Sequence, residues 1–120
     1  MNTVDVKLEV VFFRTATSNE PVREWLCSLS KADKKSIGED VKTVQFGWPL
    51  GMPLVRNLKQ GLWEIRINLT GRRIARIIFF MDESTMVLVN GFIKKTQKTP
   101  VDDMKLARQR KQQYEGRKKH

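Results

Sequence analysis

Leu62-Trp63-Glu64-Ile65-Arg66-Ile67-Asn68-Leu69 is the stretch on which the reading of this chain turns. Apolar and polar residues alternate, so Trp63, Ile65, Ile67 and Leu69 face one way and Leu62, Glu64, Arg66 and Asn68 the other. That is the pattern of a strand with one fully apolar face. Thr70-Gly71 supplies a turn, and Arg73–Met81, rich in Ile and Phe, reads as a central strand covered on both faces. Asp82-Glu83-Ser84 turns the chain again, into a third strand over Thr85–Ile93.

Outward from this meander the periodicity changes. Lys7–Phe13 is β-branched and aromatic and predicts a first strand. Thr17 with Glu20, followed by Pro21, opens a short helix whose apolar stripe is Val22, Trp25, Leu26 and Leu29. Ser30 with Asp33 opens a second helix, striped by Ile37, Val41, Val44 and Trp48 and stopped by Gly47 and Pro49. At these spacings Trp25 and Trp48 are core residues. Residues 47–61, with Gly47, Pro49, Gly51, Pro53 and Gly61, are expected to be an irregular connection pinned in part by Leu54 and Leu58. Thr99-Pro100-Val101-Asp102 opens a last helix whose apolar face (Val101, Met104, Ala107, Tyr114) is weak, which predicts loose attachment or a missing partner. The order is therefore β-αα-βββ-α, an α+β domain over residues 1–115. Its helices, led by an N-terminal hairpin, are expected on one face of a mainly antiparallel, twisted sheet, with residues 116–120 as a basic, disordered tail.

Composition bounds the function. The chain has 120 residues, enough for one compact domain, and no apolar run near the roughly 20 residues of a membrane span. The start shows no basic region leading into an apolar stretch, so no signal peptide is expected. Cys27 is the single cysteine, which excludes an internal disulfide, suits a reducing cytoplasm and fits a small buried apolar group. Net charge is +10, with only +2 in residues 1–61 and +4 each in residues 62–98 and 99–120. A basic second half points to a polyanion, nucleic acid above all, though charge does not separate DNA from RNA.

Several chemistries drop out. The single histidine is His120, at the chain's last position, so a Ser-His-Asp triad, a Cys-His pair and a histidine metal site have no residues to use. No glycine loop for phosphates is present, and Glu64, Asp82 and Glu83 are too few for a two-metal nuclease. No metal or cofactor is expected. What the strands carry is cations inside apolar sequence: Arg66, Arg76, and Lys94-Lys95 where the third strand ends, with Lys98 close behind. A buried arginine is costly unless its head meets an anion or water. Arg76 could pair with Glu64 across neighbouring strands, or it could belong to a concave phosphate site, and the two can coexist. Such a site can cleave RNA: the 2′-oxygen attacks the adjacent phosphorus, guanidinium groups stabilise the added charge, and a lysine crowded by cations moves the proton.

Gly61-Leu62-Trp63-Glu64-Ile65-Arg66, Arg76-Ile77-Ile78-Phe79-Phe80 and Gly91-Phe92-Ile93-Lys94-Lys95-Thr96-Gln97-Lys98-Thr99-Pro100 resemble the phage-derived, HigB-like (Gp49-like) branch of the RelE/ParE toxin superfamily. The resemblance runs over nearly the whole chain and includes the element order. It implies a RelE-like fold and the toxin of a type II toxin–antitoxin pair, a ribosome-dependent mRNA endonuclease held inactive by a helix-turn-helix, HigA-like antitoxin in a hetero-oligomer. By that analogy Arg66, Arg76 and Lys95 are the catalytic cations, and Lys94, Lys98 and Arg73 are RNA contacts. Some relatives add a tyrosine or histidine near the end of the last strand; here Thr96, Pro100 and Val101 stand there, so the proton-transfer partner is open. The same fold hosts ParE-like poisons of DNA gyrase, and an inactive nucleic-acid- or antitoxin-binding module is a further alternative.

Overall fold

The computed structural model describes residues 8–94 and 98–118. Its elements in chain order are β1 (Glu9–Phe12), α1 (Pro21–Cys27), α2 (Lys31–Gly47), β2 (Val55–Lys59), β3 (Leu62–Asn68), β4 (Ile74–Asp82), β5 (Thr85–Lys94) and α3 (Val101–Lys118). The five strands form one sheet in the order β1-β5-β4-β3-β2, antiparallel except where β1 runs parallel to β5. The fold is α+β.

The alternation in β3 works as its pattern predicts. Ile65 and Ile67 enter a core with Ala75, Ile77 and Phe79 of β4, roofed by Ile37 and Val44 of α2. Trp48 and Trp63 pack there with Phe79, the two tryptophan rings edge-on at 5.1 Å. Trp25 of α1 lies on Gly91, where a Cβ would come within 2.5 Å of its ring, so only glycine admits this approach. Ser30 Oγ accepts from the Asp33 amide at 3.1 Å, capping α2. α1 opens with Pro21 in its first turn, but its N-terminus has no side-chain cap.

Four expectations need correction. First, residues 47–61 are not wholly irregular: Val55–Lys59 is a strand, and Gln60-Gly61, both at positive φ (56° and 78°), turn it tightly into β3. Second, the helices do not share a face. α3 lies against the opposite side of the sheet, over Leu62, Ile78, Phe80, Val87 and Val89. Third, α3 is not loosely held. Ala107 is buried, Arg110 Nη1 donates to the Val89 carbonyl at 2.7 Å, and Asn90 Nδ2 donates to Asp103 Oδ1 at 3.1 Å. Polar contacts replace the apolar stripe the helix lacks, and the helix runs on through Gly116 to Lys118, into the expected tail. Fourth, Cys27 is exposed at the end of α1. Among the described residues no helix is long and apolar enough to cross a membrane.

Candidate functional site

The even-numbered residues of β3 build the site. On the face that α3 shares, Arg66 stands directly opposite Arg76 of β4, and Glu64 stands opposite both Ile78 of β4 and Arg56 of β2. One row further along the same face, Lys94 of β5 pairs with Ile74. α3 covers the Phe80 end of this face, and the arginines lie toward the other end.

Among the described residues Arg76 is the largest fully buried side chain, and Glu64 beside it is equally buried. Their closest approach, Arg76 Nη1 to Glu64 Oε2, is 4.0 Å, an ion pair longer than a hydrogen bond. The Thr99 hydroxyl donates to the same Oε2 at 2.6 Å, while Glu64 Oε1 accepts nothing from the described residues. Thr99 was read as opening the last helix; its hydroxyl ties the start of α3 to this acid. Burial pushes the Arg76 guanidinium below its ordinary range, Glu64 pulls it back, and Arg66 and Arg56 push it down again. One anion and two cations thus act on a guanidinium that has lost its water. Like charges facing each other across strands are unfavourable, so the arrangement is one that an added anion would relieve.

The structure brings Arg66 and Arg76 together, with exposed Lys94 on the same face. Lys98 is exposed and adjoins Thr99. Arg73 goes elsewhere. It donates twice to Asp33 of α2, at 2.9 and 3.0 Å, on the hairpin side of the sheet. That bond keeps the Asp33 carboxyl below its ordinary range and holds Arg73 above its own. Lys95 lies outside the described residues. Sequence reasoning missed Arg56, because it sat in the stretch read as loop. Only the apolar residues at 54, 55 and 58 before Gly61 hinted at a strand there.

Residues 24–112 match the family described as phage derived protein Gp49-like. The chain belongs to the Gp49-like family. This is a RelE-like toxin family, and membership suggests a toxin of the toxin–antitoxin kind, which implies an antitoxin as partner. The match takes in every described residue of the Gp49-like cation site, from Arg56 to Thr99. A comparison with curated proteins returns no match.

Proposed function

We propose that this Gp49-like chain is a RelE-like mRNA endonuclease that cleaves messages on the ribosome. The observation that carries the reading is Arg66 opposite Arg76 on adjacent strands, beside a single buried acid. A scissile phosphate is an anion that two facing guanidiniums suit. Arg66, half-buried, is the guanidinium that can reach it. Arg76, fully buried, sets the positive field behind it rather than touching RNA. Lys95 follows β5 directly in sequence and is proposed as the proton carrier between the 2′-oxygen and the leaving 5′-oxygen. Lys94 and Lys98 hold the flanking phosphates. Arg73, engaged by Asp33, takes no part.

A site rich in charge stabilisation and poor in acid–base pairs needs its substrate aligned, and a message held on the ribosome is aligned. Residues 1–115 would then act as one domain in the cytoplasm until a helix-turn-helix antitoxin binds. The test uses purified chain with programmed ribosomes. Arg66→Ala should lower message cleavage about 100- to 1,000-fold with an unchanged melting temperature, and naked RNA should be cut slowly by both forms. Full cleavage by folded Arg66→Ala, or arrest of gyrase without any RNA cleavage, overturns the reading.

A further inference from the structure

The outer edge of β1 and the groove behind it take no part in the cation site. β1 ends the sheet, and among the described residues no strand pairs with its outer side. Glu9 and Phe13 donate inward to Ser84 and Leu88 at 3.0 and 2.9 Å. The alternation along a strand therefore turns the backbone groups of Val10 and Phe12 outward. Leu8 shows the same parity, its carbonyl accepting from Gln45 Nε2 of α2 at 2.6 Å. The other edge, β2, carries Arg56, Lys59, a register shift and the preceding Pro53, whereas on β1 the protection is confined to its start, at Glu9 and the Gln45 contact, and Val10-Val11-Phe12 brings neither charge nor proline.

Beside this edge lies a groove of about 360 Å³, with Val10, Phe12 and Leu88 as floor and Leu26, Ile37 and Val41 as walls. Among the described residues its charged lining is Lys34 and Lys42, both exposed and neither in an ion pair. Gly38 lies between them on α2, and a Cβ built there meets nothing within 4 Å. A glycine inside a helix costs helix stability, and here it leaves the groove open.

We propose that this groove receives an extended, acidic segment of the antitoxin, which adds as a strand to β1 and seats apolar side chains between β1 and α2. Its carboxylates would meet Lys34 and Lys42. The occupant follows from the outward backbone groups of Val10 and Phe12, the apolar floor and the cationic rim, together with the antitoxin that family membership implies. The inference rests on the toxin–antitoxin class and not on the nuclease reading.

The experiment co-expresses the full chain with the product of the gene beside its own and follows amide exchange in the purified pair. Protection of the Val10 and Phe12 amides on complex formation is expected. Gly38→Trp should weaken the complex at least ~10-fold while Gly38→Ala leaves it intact, and Lys34→Glu with Lys42→Glu should weaken it and reduce its salt dependence. Thermal melts of the free variants establish that they fold. Four results overturn the proposal: no complex, a complex in which Val10 and Phe12 exchange as in the free chain, binding that survives Gly38→Trp, or a homodimer that Gly38→Trp dissolves. Binding is read without RNA, and free Gly38→Trp should cleave messages as the parent does. Loss of cleavage by the parent would therefore sink the nuclease reading alone.

Discussion

The two faces of the sheet are made by the same strands and do opposite work. Toward the helical hairpin, β3 and β4 present Ile65, Ile67, Ala75, Ile77 and Phe79, all buried and all apolar. Toward α3 the intervening residues of β3 read Leu62, Glu64 and Arg66, and β4 adds Arg76 and Ile78. One face is a continuous core. The other is a core only under α3, and beyond that helix it becomes a cluster of cations around one acid. A strand's period of two makes this division possible without any insertion, because a charge at an even position leaves the odd face undisturbed. The lesson is that the hairpin face stabilises the scaffold while the α3 face can tolerate groups that oppose stability.

The largest effect should come from the apolar face. Phe79 is fully buried, stacked near Trp63 and edge-on to Trp48. Phe79→Ala should cost about 3–5 kcal/mol of unfolding free energy, since a cavity opens between packed rings that cannot collapse into it. Denaturant unfolding measures it. A loss under 1 kcal/mol, well below the usual cost of such truncations, would mean the hairpin face is not the stabilising side.

The next test puts the same question to the charged face. Arg76→Ala leaves the Glu64 carboxylate buried without its cation, so it should destabilise by on the order of 3 kcal/mol as well as stop function. The resemblance alone would have suggested a variant that merely loses activity; full burial changes that expectation. Glu64→Gln with Arg76→Met removes both charges and should recover most of the lost stability without recovering cleavage. If the double variant is as unstable as Arg76→Ala, the pair is structural and the contrast between the faces fails.

What was legible follows the same division. β3, β4 and β5 were readable because their residues repeat every two positions and the turns between them carry Gly71 and the Asp82–Ser84 group. β2 was hidden by the prolines and glycines around it, and by a reversal whose positive-φ residues begin with Lys59 and Gln60, types with no turn signature. The face chosen by α3 was illegible for another reason. Asn90, Val89 and Asp82, which hold the helix, are distant in sequence from Asp103, Arg110 and Tyr114, so no local period records them. Arg66 and Arg76 stood out as cations in apolar strands, and Arg73 was grouped with them as an RNA contact. Only register and the reach of Asp33 separate them.

The smallest effect probes how α3 is fastened, and the chain's single tyrosine reports it. Tyr114 packs edge-on against Phe80 and donates to Asp82 Oδ2 at 2.8 Å, while Lys118 Nζ donates to both Asp82 oxygens at 2.6 and 2.8 Å. Burial raises the Tyr114 phenol above its ordinary value of 10.0, the bond to Asp82 and its charge raise it further, and Lys118 pulls it down. Lys118 is itself raised from 10.5, chiefly by its bond to Asp82, and Asp82 is lowered from 3.8 by Lys118 first and Tyr114 second. The signs then fix the window. The contribution from Asp82 is complete above 3.8 and fades as the pH falls through its lowered value. Those from Tyr114 and Lys118 are complete below 10.0 and 10.5 and fade as the pH rises through their raised values. On the hairpin side the Asp33–Arg73 bond has the acid limit only, because Arg73 is held above its ordinary, already alkaline range. Alkali therefore separates the two faces where acid does not. Followed by phenolate absorbance, Tyr114 should titrate above 10.0, Asp82→Asn should bring it part of the way back, and Lys118→Ala should raise it. Helical signal from α3 should fall over the same alkaline range before the sheet is lost. A phenol that titrates at its ordinary value and ignores Asp82→Asn would mean that the last turns of α3 are not fastened to the sheet, and that the α3 face is more open than this geometry allows.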